Sequence, residues 1–181
     1  MFIQTDVTPN PNALKFFPGA AVFNGNPVEI TNREDAKKYK IADLLFEVQD
    51  VVIVMLGADF ITITKQEDAD WEILKPQIFS IIIEYFTSGG VAEESDEEDE
   101  CDDEAKDPIS QEIRELIREK VRPAVMEDGG NVIFKGYKDG VVYLKLQGAC
   151  SGCPSASITL KDGIENMLQY YVPEVKCVEQ V

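Results

Sequence analysis

The stretch 92–107, AEESDEEDECDDEAKD, holds eleven acidic residues against the single Lys106. Such a run repels itself and offers nothing apolar to bury, so no single core can extend through it. The chain on either side must fold as two separate bodies, and the run reads as a disordered, flexible acidic linker. Its sixteen residues reach at most about 50 Å when fully extended. The boundaries that follow are 1–91 for the first domain, 92–107 for the linker and 108–181 for the second domain.

Charge and composition then narrow the function classes. The chain has 17 basic and 34 acidic residues, a net charge of -17, and the run supplies ten of those excess negative charges. A surface of that sign repels phosphate backbones and anionic lipid, which argues against nucleic acid as a partner. The apolar runs fall well short of the ~20 residues of a membrane span, so no membrane is expected. The start, MFIQ, carries neither a signal peptide nor an Arg-rich presequence, and the expected location is a bacterial cytoplasm, with the mitochondrial matrix as the alternative for a processed chain. Four cysteines without a secretion signal point to reduced thiols: metal binding, redox chemistry or burial. There is no histidine, which removes Ser-His-Asp and Cys-His catalysis and His-containing zinc sites together.

The elements can be placed from pattern. In the first domain, 2–6 and 13–17 read as strands around the turn cluster Pro9-Asn10-Pro11-Asn12, and 35–48 as a helix with Ala42, Leu45 and Phe46 on one face. Residues 51–56 and 60–64 form a hairpin. A helix over 70–86 carries Trp71, Leu74, Ile78, Ile81, Ile82 and Tyr85 at helical spacing, a core stripe with no cysteine among it. In the second domain, a helix over 109–122 ends near Pro123 and a loop spans 126–130. Strands 132–137 and 141–146 meet at Asp139-Gly140, a hairpin turn signal. A helix follows the cysteine turn, stops at Pro173 and leaves 175–178 as a last strand. The fold class is α+β: two small α+β domains joined by the acidic linker.

The chemistry concentrates at Gly148-Ala149-Cys150-Ser151-Gly152-Cys153-Pro154. Two cysteines two residues apart direct both sulfurs at one metal or cluster. Pro154 suits the first position of a helix, which sets Cys153 at its N-cap and turns free N–H groups toward the sulfurs, favouring thiolate. Spacing alone leaves three readings: metal or cluster site, dithiol redox pair, or incidental cysteines. A four-coordinate zinc or a cubane cluster takes four ligands and this lobe supplies two. Cys101 sits among carboxylates that disfavour thiolate and reads as a bystander; Cys177, sharing strand parity with Val175, reads as a small core residue. Two chains, each giving one CxxC across a twofold axis, are the simplest route to four thiolates, so a homodimer held by the cofactor is expected.

The runs LQGACSGCPS (146–155), TLKDGIE (159–165) and VPEV (172–175), with Arg122-Pro123 and Asp128-Gly129-Gly130, resemble the C-terminal NifU domain of Nfu-type iron–sulfur scaffold proteins. The segment TPNPNALKF (8–16) is similar to the N-terminal domain of the Nfu subgroup found in mitochondria and related bacteria. The resemblance covers both lobes and implies a 4Fe-4S cluster shared between two chains, with Cys150 and Cys153 as its ligands. It also implies upstream assembly proteins as donors and apo iron–sulfur proteins as recipients. Asn131 departs from the family, where an acidic residue is common. The expected role is a carrier and not an enzyme, acting by ligand exchange from an exposed site on a turn. The rivals are a thiol-disulfide oxidoreductase, with Cys150 as nucleophile and Cys153 as resolving thiol, and a zinc-bridged dimer.

Overall fold

The computed structural model describes residues 2–94, 107–151 and 154–181. It divides into two compact units, Met1–Asp99 and Glu100–Val181, each α+β. Among the described residues no helix is long and apolar enough to cross a membrane.

The first unit is built on a five-stranded antiparallel sheet. Its strands are β1 (Gln4–Val7), β2 (Ala13–Phe17), β4 (Val28–Ile30), β5 (Val51–Leu56) and β6 (Ile61–Lys65), in the order β1-β2-β6-β5-β4. Strand alternation sends Leu14, Phe16, Val54, Leu56, Ile61 and Ile63 to one face. Against them lies a helix, α3 (Trp71–Thr87), which buries Leu74, Ile78, Ile82 and Tyr85 at intervals of three and four. Asp70 starts it, its side chain accepting from Glu72 N at 2.9 Å.

The helix expected over 35–48 is two pieces, α1 (Arg33–Ala36) and α2 (Lys40–Leu45). The chain extends at Tyr39 (φ -127°, ψ 110°), where the buried ring meets Phe23 edge-on at 5.7 Å. That tertiary contact overrides the helical period. Phe23–Asn24 (β3) pairs in parallel with Glu93–Glu94 (β7), and Glu93 N donates to Val22 O at 2.9 Å. Glu93 and Glu94 of the acidic run thus pair within the first unit, past the expected domain boundary at residue 91. The Glu93 carboxylate also accepts from Ile41 N at 3.3 Å, capping α2 from 52 residues away, and lies 2.9 Å from the Tyr85 hydroxyl. The linker reading of 95–106, with Cys101 in it, falls outside the described residues.

The second unit begins with α4 (Pro108–Leu116), capped by Asp107, whose carboxylate accepts from Ser110 N at 3.3 Å. The expected stop at Pro123 does not occur. A π-helical turn, Ile117–Val121, carries the chain into α5 (Arg122–Glu127), with Arg122 N bonding Ile117 O. An uninterrupted α-helix would drive the Pro123 ring against the Glu119 carbonyl, and the wider turn relieves that clash. The expected loop over 126–130 shrinks to Asp128-Gly129. Next comes a hairpin of β8 (Gly130–Lys138) and β9 (Val141–Gly148), turning at Asp139 (φ 53°) and Gly140 (φ 89°), the two left-handed residues of a type I′ turn. The chain resumes as α6 (Pro154–Tyr171), and β10 (Cys177–Gln180) pairs in parallel with β9, giving the order β10-β9-β8. Ile113, Ile117, Val125, Val132, Leu144, Leu146, Ile164 and Leu168 share the core.

Candidate functional site

The cysteine turn starts where the β8–β9 ladder ends. Its last rung pairs Gly130 with Gly148, and Gly148 adopts φ 67°, which redirects the chain out of the sheet. Ala149 N donates to Gly129 O at 3.2 Å, and Ser151 N and Oγ both donate to Gly148 O, at 3.1 and 2.9 Å. Ser157, on the first turns of α6, donates its hydroxyl to Cys150 O at 2.7 Å. The turn is thus tied to the strand before it, the loop beside it and the helix after it. That helix opens at Pro154, as its missing N–H predicts.

Cys150 is buried, only 4% exposed, within the core of the second unit. A Cβ added at Gly130 would lie 2.5 Å from the Cys150 sulfur, so the sulfur rests where any larger side chain would stand. The exposed position expected for this ligand is therefore corrected. A neutral thiol loses little by burial in an apolar core, and Gly130 leaves space for it. Cys153 lies outside the described residues.

Cys177 is half-buried, and Val178 takes the core position beside it. The expected parity from Val175 fails because the strand begins only at Cys177, after a turn. Cys177 pairs with Val141 at one end of β9, whereas the cysteine turn leaves Gly148 at the other. Seven strand steps separate these ends by roughly 23 Å, too far for Cys177 and Cys150 of one chain to share a cluster. Among the described residues no three Cys, Asp or Glu side chains gather closely enough to hold a metal ion.

One rung before the glycine pair, Asn131 faces Gln147, and both are buried. Asn131 Nδ2 donates to Gln147 Oε1 at 2.9 Å, and Arg122 Nε donates to Asn131 Oδ1 at 3.1 Å. Sequence reasoning singles out Asn131 only as a departure and gives Gly130 and Arg122 no role. The Arg-Pro and Asp-Gly-Gly runs do signal their positions, but not what they touch.

A CxxC sequence with a helix opening directly after it, on a small α+β unit of a chain whose first unit holds no cysteine, suits a metal- or cluster-binding scaffold. Residues 3–89 match the family described as "Scaffold protein Nfu/NifU N terminal", and residues 113–179 match the "NifU-like domain". The chain belongs to the Nfu/NifU scaffold family. It is 48% identical to the "NFU1 iron-sulfur cluster scaffold homolog, mitochondrial" of Drosophila erecta over 184 aligned residues, covering all of this chain and 65% of that protein. It is also 48% identical to the human protein of the same name, covering 72% of it. The chain thus spans just under two thirds of the length of the fly relative. A solution NMR structure of a NifU-like protein from Saccharomyces cerevisiae superposes with a TM-score of 0.47 and 28% identity, over 51% of this chain and 83% of that one. The relatives are named mitochondrial and come from animals, which overturns the bacterial cytoplasmic expectation. Targeting segments are separable from the domains they address, so a domain's own residues do not encode its compartment.

Proposed function

We propose that the chain carries a 4Fe-4S cluster as cargo, held by Cys150 and Cys153 of two copies in a homodimer, and hands it to apo iron–sulfur proteins. The observation that carries this reading is the cysteine turn itself: Cys150 tied at the ladder end, α6 opening directly after Cys153, and Cys177 roughly 23 Å away. Each copy then offers half a coordination shell, and a second copy completes it. The relatives' names support a mitochondrial setting.

Transfer proceeds by thiolate exchange without redox change. A recipient thiol binds iron as the iron–sulfur bond to Cys150 breaks, and the recipient's proton passes to the freed Cys150 thiolate. The neutral thiol returns to its seat over Gly130, and this burial favours release. The first unit, which holds no cysteine, recognises donors and recipients; domains 1–91 and 108–181 divide the labour, with the acidic run beyond Glu94 as tether. The chain turns over no substrate.

Anaerobic reconstitution with iron and sulfide tests this. The expected result is about two irons and two sulfides per chain, broad visible absorption and a dimeric mass. Ser at Cys150 or Cys153 abolishes the signal, while Ser at Cys101 or Cys177 leaves it. A loaded monomer, or a protein that takes up zinc but no iron, overturns the reading.

A further inference from the structure

We propose that Ser157 is a positioning residue for Cys150: its hydroxyl latches the cysteine turn in the arrangement that seats the thiol in the core, and this bond must open before Cys150 can ligate a cluster shared with a second copy. The inference rests on the cluster-carrier reading above and concerns how that site is gated.

The seated thiol is closed on the side that a shared cluster needs. Cys150 is 4% exposed and belongs to the core of the second unit, with its sulfur where a Gly130 side chain would stand. A sulfur that bonds iron lying between two chains must turn part of its surface out of its own core. The seated position and the ligating position are therefore two arrangements of one turn. Hydrogen bonds present in only one of them set the balance between the two.

Two of the bonds that fix the seated arrangement cross from the turn to its surroundings. Ala149 N donates to Gly129 O at 3.2 Å, and Ser157 Oγ donates to Cys150 O at 2.7 Å. The second is the shorter and acts on the cysteine itself. A serine inside a helix often turns its hydroxyl to the carbonyl four residues back. Ser157 reaches seven residues back instead, out of α6 and across the CxxC, to the residue whose sulfur is seated. Cys150 is thus held at both ends, its carbonyl by the helix and its side chain by the space over Gly130.

The turn also has a pivot. Gly148, at φ 67°, is where the chain leaves the β8–β9 ladder, and a residue without a Cβ rotates there at little cost. The helix carrying Ser157 is anchored by Ile164 and Leu168 in the core. Outward rotation about Gly148 therefore carries the Cys150 carbonyl away from a hydroxyl that stays behind, and the bond breaks as the thiol emerges. The latch makes and breaks hydrogen bonds only; the thiolate exchange that follows is the one described above. One net hydrogen bond shifts such a balance by about three- to tenfold.

Ser157→Ala removes the hydroxyl alone. In the protein before loading, maleimide labelling of Cys150, followed peptide by peptide by mass spectrometry, should rise about three- to tenfold, with labelling of Cys177 unchanged. In the loaded protein the effect takes the other sign. Once Cys150 lets go of iron, reseating competes with rebinding, so a weakened latch should slow loss of the cluster to a ferrous chelator by a similar factor. A residue that merely supported the fold would speed both processes when removed. Ser157→Thr keeps the hydroxyl and should behave as wild type, whereas Ser157→Val, of the same shape without it, should repeat the alanine result. Cys150 labelling within about twofold of wild type in both Ser157→Ala and Ser157→Val overturns the inference. So does faster cluster loss in these variants, or labelling of Cys177 that rises together with that of Cys150. A wild-type protein that takes up no iron instead refutes the carrier reading, and the labelling arm still decides whether Ser157 holds the thiol on its seat.

Discussion

Gly130→Ala places a methyl group 2.5 Å from the Cys150 sulfur, 3.0 Å from Gln147 O and 3.2 Å from Cys150 Cβ. Gln147 O belongs to the ladder backbone and cannot retreat, so the sulfur must move by about 1 Å to reach ordinary van der Waals distance. Overpacking of this kind costs about 1–3 kcal/mol. In a unit of this size, each kcal/mol lowers the midpoint by about 4–8 °C. Gly163, in the middle of α6, is the matched control: a Cβ there meets nothing within 4 Å. The same substitution should therefore stabilise by about 0.5–1 kcal/mol, through lost unfolded-state freedom. Thermal unfolding followed by circular dichroism measures both, and maleimide labelling reports whether Cys150 has left its seat. The expected pattern is a lower midpoint and faster Cys150 labelling for Gly130→Ala, with a raised midpoint and unchanged labelling for Gly163→Ala. If the two variants shift the midpoint alike, or if Cys150 in Gly130→Ala labels at the wild-type rate, the seat is not built as described.

Other consequences are equally direct. Burial of its ring, then the hydrogen bond and charge of Glu93, push the Tyr85 hydroxyl up to about 12. A group raised in the folded state stabilises below its unfolded value, so this contribution is present below about pH 10 and is lost as pH rises from there to about 12. Tyrosinate absorbance should show a late-titrating step that belongs to Tyr85. Glu93→Gln should bring it partway down, and an unchanged titration curve would refute the coupling. Leu168→Ala removes a fully buried α6 side chain and should lower stability by about 2–5 kcal/mol in denaturant unfolding; a loss under about 1 kcal/mol would mean that α6 does not pack as described. Gly140→Ala, at φ 89° and with Glu174 O 3.1 Å from the added Cβ, should destabilise the hairpin by about 1–2 kcal/mol from the left-handed turn alone, read as a lower midpoint against wild type.

Some of this molecule was legible from local pattern. Residues of β6, β8, β9 and α3 repeat every two or every three to four positions, β5 declares itself as a short apolar run, and Asp139-Gly140 marks its hairpin because few residues tolerate two left-handed conformations in succession. The acidic run dictated two bodies, and the CxxC before Pro154 marked the candidate site. These are properties of residues and their near neighbours, so the sequence alone determines them. The break at Tyr39, the capping of α2 by Glu93 and the two-residue strands β3 and β7 come from partners distant in the chain. So does the burial of the Cys150 sulfur against Gly130, the most consequential of them. The spacing of two thiols narrows the chemistry open to them, but whether Cys150 faces solvent or core depends on the volume left by a glycine twenty residues earlier, and only the folded chain brings the two together.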